Sequence, residues 1–414
     1  MEVETNVDNL FTEHEEPEDS DESGDDETSQ DGQHKINFGL TRKCVFNKLK
    51  SFHSVTSMPP DAMHDLMEGV LAQDLLGIIR ILIDKKWFSL IDYNKALRSM
   101  KYSSQESSNK PQDVPSSPRI KKLPGKAISQ WVHMRVFSII LYYKGWVVDS
   151  EDPVLLLALK LEDVTNRLCA EEFRIHDIET LEIVILEYLD MRKKVYEHYS
   201  VIGRPKPKHH FLTHYHSSVR NFGPPLSYWT GRYESKHRVA KSTAEASKNF
   251  INISHTISNR QQMRSCSTYY HGMFTCVKFK LPADIKTINE MTDSESETMK
   301  QFTNSPKDLF CSEIEFKCRK YKIGDVVVLN RNDLTRMEVG LIKAFLVKKE
   351  SVFVIGRRYN VEQNALNVFE SKDLDSALFA TDMENLQDSY PLFKRGTELK
   401  FILKQHHHVS FSYN

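Results

Sequence analysis

None of the six cysteines (Cys44, Cys169, Cys266, Cys276, Cys311 and Cys318) stands in a C-x-x-C pair, and their spacings match no zinc module. Free thiols in a reducing compartment are therefore expected. No apolar run approaches the roughly 18 residues of a membrane span, so no membrane partner is expected. The N-terminus has neither a basic n-region nor an apolar h-region, which argues against a secretory signal. A nuclear or cytoplasmic location follows. No internal repeat is present, which argues against a solenoid. Lys and Arg are absent from residues 1–34, which hold 14 Asp and Glu. The whole chain has a formal net charge of −1, so residues 35–414 carry +13.

An acidic tail ahead of a basic body suggests contact with a polyanion, with the tail as an intramolecular competitor. The 414 residues suffice for two or three domains at roughly 100–200 residues each. With 40% apolar and 27% charged residues, the composition suits a soluble protein with a sizeable core.

Residues 1–34 are low in complexity and bury too little apolar surface to offset chain entropy, which predicts a disordered acidic tail. Residues 35–60 read as an irregular lead-in ending at Pro59-Pro60. Asp61 is placed to cap a helix, and Met63, Leu66, Met67, Val70, Leu71, Leu75, Ile78, Ile79 and Leu82 recur at i, i+3, i+4 spacing to about Lys85. Residues 102–118, rich in Ser and Pro, are expected to be a mobile insertion. Helical patterns cover about 126–148, 153–170, 177–199, 208–221, 227–247 and 253–275, with R-P-K-P-K too rich in proline for helix. Residues 281–320 read as a linker. From Tyr321 the pattern turns to strand, at 325–329, 339–347, 351–359 and 398–404, so 321–414 is expected to form a small β domain. The fold class is mostly α with a small β module.

Four groups of residues could carry chemistry. Asp61, His64, Asp65 and Glu68 share a helix face and could bind a divalent metal; equally, acids at a helix start favour the positive end of its dipole. His210 and His214 sit at i, i+4, a spacing that can chelate one metal, but no third ligand follows and no H-E-x-x-H is formed. Packing at a junction is the alternative. Residues 191–264 hold 14 Lys and Arg against Glu197, Glu234 and Glu245, interleaved with Tyr215, Phe222, Tyr228, Trp229 and Tyr233. Such a surface fits phosphate-backbone binding by Lys206, Lys208, Arg232, Lys236, Arg238 and Lys241, or is simply a solvated face. Glu234 is a lone acid amid Arg232, Lys236, His237, Arg238 and Lys241, which helix pairing alone does not explain. Finally, Lys322-Ile323-Gly324-Asp325-Val326-Val327-Val328-Leu329 reads like the opening of an SH3-like or BAH-like barrel, a module that often takes a protein partner.

Three ordered blocks carry a family resemblance over roughly residues 42–276. Ser57-Met58-Pro59-Pro60-Asp61-Ala62-Met63-His64-Asp65-Leu66-Met67-Glu68-Gly69-Val70 resembles a block of animal transposase-like proteins related to the CACTA (EnSpm-like) cut-and-paste elements. Pro207-Lys208-His209-His210-Phe211-Leu212-Thr213-His214-Tyr215 agrees in order and character, as does the stretch from Phe222 to His237 that contains Trp229-Thr230-Gly231-Arg232-Tyr233-Glu234.

The resemblance implies an RNase H-like DDE core interrupted by a helical insertion, with three carboxylates holding two divalent ions, Mg2+ or Mn2+. Glu234 matches the final catalytic and metal-binding carboxylate, and Asp61-x-x-His64 a supporting D-x-x-H element. In the family both catalytic aspartates precede that element, whereas here only the acidic tail and about 25 irregular residues do. The expectation is an inactive transposase fragment, without a cofactor as an isolated chain, that keeps residual non-specific DNA binding. The competing expectation is a non-enzymatic protein-interaction or chromatin-associated module. An active nuclease completed by a second polypeptide is a third.

Overall fold

The computed structural model describes residues 45–403 apart from 53–56, 104–105, 174, 249–250, 271–278, 283–284, 291–298, 304, 306, 318, 333–334, 350, 374–377, 388–391 and 397–400. The acidic tail expected over 1–34 lies outside the described residues. Within 57–270 every regular element described is helical, and from Phe279 onward strands dominate, all paired antiparallel.

Pro59 and Pro60 lack the N–H groups a helix interior needs, and Asp61 takes over as N-cap, accepting from the Met63 N–H at 3.3 Å. The chain then winds as a π-helical segment, Ala62–Leu71, and continues as α1, Ala72–Asp84. All nine periodic apolar residues are buried. The second half departs from an amphipathic reading: Gln73, Asp74, Leu76 and Ile81 are buried as well, so α1 is the central rod of the helical block. Around it pack α2 (Leu90–Ser99), α3 (Ala127–Lys144), α4 (Pro153–Leu168) and α5 (Ile175–His198), sharing one apolar core that includes Leu75, Ile79, Phe137, Leu157, Leu161 and Leu181. Each such side chain contributes roughly 1.5–3 kcal/mol when fully buried. The sequence left α2 unassigned because only Tyr93, Ala96 and Leu97 are buried on it.

Apart from a short 3-10 turn at Ser107–Asn109, the described residues of 102–118 are irregular, as expected, but not loosely attached. Glu106 is buried and paired with Arg135 at 2.9 Å. Asn94 exchanges two hydrogen bonds with the Val114 backbone, at 2.8 and 3.0 Å. Polar composition suggested a mobile loop; its few buried groups instead tie it to α2 and α3.

Five further helices follow: α6 (Pro207–Leu212), α7 (Tyr215–Phe222), α8 (Pro225–Tyr228), α9 (Gly231–Ser247) and α10 (Ile253–Tyr270). Pro207, within the stretch judged unfit for helix, opens α6, where a missing N–H costs nothing. Helices α9 and α10 lie against each other, and among the described residues hardly anything else covers them. Thr243 is the only buried residue described on α9, and α10 has none.

The linker expected over 281–320 needs correction. It contributes β2 (Lys286–Thr287), β3 (Leu309–Cys311), β4 (Glu313–Phe316) and part of β5 (Arg319–Lys322), after β1 (Phe279–Lys280). Leu309, Phe310, Ile314 and Phe316 supply apolar contacts from runs too short to stand out among polar neighbours. The module continues through β6 (Val326–Arg331), β7 (Arg336–Lys348), β8 (Ser351–Gln363), β9 (Phe369–Asp373), β10 (Leu378–Asp382), β11 (Arg395–Gly396) and β12 (Phe401–Leu403). Its spine is the long β7–β8 ribbon, bulged between Ile342 and Ala344. The larger sheet runs β11-β12-β9-β8-β7-β3-β2, with β10 added to β8 and β6 to β7. Leu366 and Val368, beside β9, join the core of the helical block.

Candidate functional site

The two sequence blocks that contain Asp61 and Glu234 meet in space, although more than 160 residues separate them. One His64 ring connects them: Nδ1 faces Asp61 Oδ2 at 2.5 Å, and Nε2 faces Glu234 Oε1 at 3.3 Å. The stronger link lies one turn earlier on the α9 side. The Thr230 N–H donates to Asp61 Oδ1 at 3.0 Å, and the Thr230 hydroxyl donates to Asp61 Oδ2. A partly exposed ion pair stabilises by only about 0–1 kcal/mol, and the His64 and Glu234 side chains are 44% and 53% exposed. Position is therefore set by the Thr230–Asp61 clamp and by apolar packing beneath it, not by the His64–Glu234 contact.

That packing begins with Met63 and Met67, which are buried with Ala127 and Cys169, while Trp131, Leu226 and Trp229 lie against them. Gly231 opens α9 directly over Met63; a Cβ there would lie 3.1 Å from the Met63 sulfur and 3.3 Å from the Trp229 ring. Burial by itself would raise the Asp61 carboxyl, but hydrogen bonds from Thr230, His64 and the Met63 N–H hold it below its ordinary value. Burial dominates at Asp65 and raises it, even though its carboxylate accepts from the Asp61 N–H at 3.0 Å. Glu68 takes no part here: it accepts from the Ala127 N–H at 3.2 Å and caps α3. The three acids and one imidazole of the first block thus divide into a site pair and two structural groups.

As a metal site the arrangement does not fit the two-ion requirement. Asp61 and Glu234 face opposite nitrogens of one imidazole, and both Asp61 oxygens already accept hydrogen bonds from Thr230. Among the described residues no group of three or more His, Cys, Asp or Glu converges so as to hold an ion. His210 and His214 approach each other with Nε2 atoms 3.1 Å apart.

The expected DNA-binding residues also divide. Lys236, Arg238 and Lys241 are exposed on α9, and Lys206 is exposed before α6. Arg238 and Lys241 follow Glu234 at i+4 and i+7, along one stripe. Residues 231–270 carry seven Lys and Arg against Glu234 and Glu245. The Arg232 side chain lies outside the described residues. Lys208 is withdrawn from the surface set: its ammonium donates to the His64 carbonyl at 2.6 Å, and its stem lies over Gly69. It joins the second block to the first, a role its charge concealed.

One cluster escaped sequence reading altogether. Asp74, fully buried on α1, accepts from Arg192 Nε at 2.6 Å and Nη2 at 3.0 Å, from the Tyr188 hydroxyl, and lies 3.2 Å from His209 Nε2. Burial would raise this carboxyl, yet His209 and Arg192 outweigh it and bring it down to about 2. Arg192 also donates to the Gly203 carbonyl at 3.0 Å. The cluster fixes α5, α6 and the segment between them against α1. Its only sequence signal was an aspartate inside an otherwise apolar helical face. No protein-family model matches this chain, and no curated protein or solved structure matches it either.

Proposed function

We propose that this chain carries the part of an RNase H-like, transposase-type fold that runs from the D-x-x-H element to the late-helix glutamate. In this reading it binds the DNA backbone without sequence preference and does not cleave DNA by itself. The observation that supports the reading most is the junction of Asp61, His64, Thr230 and Glu234. A helical insertion that leaves a core and returns to it brings its two flanks together, and these flanks are the blocks that resemble the family. Glu234 stands for the last carboxylate, and Asp61 and His64 for the element that supports it.

Affinity for DNA belongs to α9 and α10. Lys236, Arg238, Lys241, Arg260 and Arg264 are exposed there with few acids among them, and phosphate contacts of this kind carry no base information. Strand cleavage needs several anionic ligands to space two Mg2+ or Mn2+ ions, and Asp61 and Glu234 do not converge on one point. The β module, in the same reading, is an SH3- or BAH-like barrel that takes a protein partner.

The test incubates purified full-length chain with supercoiled and linear duplex DNA in Mg2+ or Mn2+. The expected result is retarded DNA without nicking, unchanged in the Glu234→Gln variant. Metal-dependent nicking lost in Glu234→Gln would overturn the inactive reading. Absence of DNA binding at low salt would leave the protein-interaction reading in its place.

A further inference from the structure

A cavity of about 820 Å³ lies where the helical block meets the β module, away from the Asp61–Glu234 site. It is lined by the C-terminal ends of α2 and α3, the β5–β6 turn and the chain entering β11. Its size is that of a small-molecule site. Ala96, Met100, Ile140, Ile323, Tyr143 and Phe393 give it an apolar body with two aromatic rings. Lys101, Lys144, Lys322 and Lys394 line it as well, against one acid among the described residues, Asp325. Lys101, Lys144 and Lys322 are exposed at its mouth.

Arg395 supplies an independent sign of a ligand. It is 5% exposed, lines the cavity and stacks its guanidinium 5.1 Å from the Phe393 ring centre. Its Nη2 donates to Glu106 at 3.3 Å, but its Nε has no hydrogen-bond partner. The guanidinium is thus short of acceptors where it borders the cavity, and its positive charge adds to that of the lysines. Burial pushes the Asp325 carboxyl up to about 6, which weakens this competing negative charge as the pH falls.

We propose that this cavity binds a phosphate monoester carried on a flat aromatic body, of the class of nucleoside monophosphates. The phosphate faces the lysines and Arg395. The planar body lies between Tyr143 and Phe393. Among the described lining residues, four lysines against one carboxylate leave an excess that a dianion matches better than a single carboxylate does. Arg395 is also held by Glu106, which pairs with Arg135 of α3, so a ligand here would bridge the two parts of the chain.

Calorimetric titration of the full chain with adenosine monophosphate tests the proposal, with adenosine and inorganic phosphate as probes of the two halves. Saturable binding of the nucleotide is expected, with adenosine and phosphate each at least about tenfold weaker, since each forfeits one set of contacts. Lys144→Glu with Lys394→Glu should weaken the nucleotide at least about tenfold, and Tyr143→Ala severalfold, without loss of the folded circular-dichroism spectrum. If the lysines serve only to offset helix ends, the reversals will change thermal stability and leave affinity unmoved. That result overturns the site, as does the lack of saturable nucleotide binding at millimolar concentration. Phosphate alone binding as tightly as the nucleotide overturns the aromatic half.

Discussion

Asp74 and Arg192 show how much one buried pair carries. Removing a single member leaves an unmatched charge, which costs about 3–5 kcal/mol, whereas replacing both with apolar groups of similar volume is often neutral. Chemical denaturation should therefore find Asp74→Ala and Arg192→Met each strongly destabilised, and the double variant closer to wild type than either. The folded Asp74 value lies below that of an unfolded carboxyl, so its stabilisation is complete above about pH 4 and is lost as the pH falls toward 2. Wild type should lose stability across that window, and the double variant should lose less of it. Thr230 is the second decisive residue. Thr230→Val removes the hydroxyl bond to Asp61 and leaves an acceptor with less support, a loss of about 1–3 kcal/mol. Its local signature should be faster amide exchange at the start of α9, with α1 unchanged. Uniform protection in α9 would show that the Met63–Gly231 packing suffices alone.

Among the elements, the helix that runs from Ala62 through α1 was legible because nine apolar residues repeat over the twenty positions 63–82, and its burial follows from that pattern as its cap follows from Asp61. The meeting of its first turn with α9 was legible only through the family resemblance, since nothing local to Glu234 names His64 as its neighbour. Strands β3 and β4 were not legible: three and four residues long, they owe their structure to pairing with β7 and β5. The π-helical start of the first helix left no mark in the periodicity. Gly77 was equally silent. On α1 it faces Ile202, and a Cβ there would lie 2.7 Å from the Ile202 Cα. Ala would gain about 1 kcal/mol of helix propensity, but the obstacle is backbone, and overpacking costs about 1–3 kcal/mol. Packing should win. Gly77→Ala is expected to lower the melting temperature; a rise would mean that the Ile202 turn yields freely.

For the molecule as a whole, charge is distributed so that helices α9 and α10 stand out from the helical block with basic side chains uncovered. Residues 1–34 carry 14 acidic side chains, which in the proposed reading compete with DNA for the same cations. Deleting them should raise duplex affinity at low salt and matter less at high salt, where the Debye length shortens from about 10 Å at 0.1 M to about 3 Å at 1 M. The most direct test of DNA-backbone binding is the salt dependence of duplex affinity by fluorescence anisotropy. It compares the full chain with a variant carrying Lys236→Ala, Arg238→Ala and Lys241→Ala. Each phosphate contact contributes roughly 0.9 to the slope of log affinity against log salt. A steep slope is expected for the wild type, shallower by roughly 2–3 in the triple variant, for duplexes of any sequence. An affinity that is independent of salt, or a slope that the three substitutions leave untouched, would contradict DNA-backbone binding.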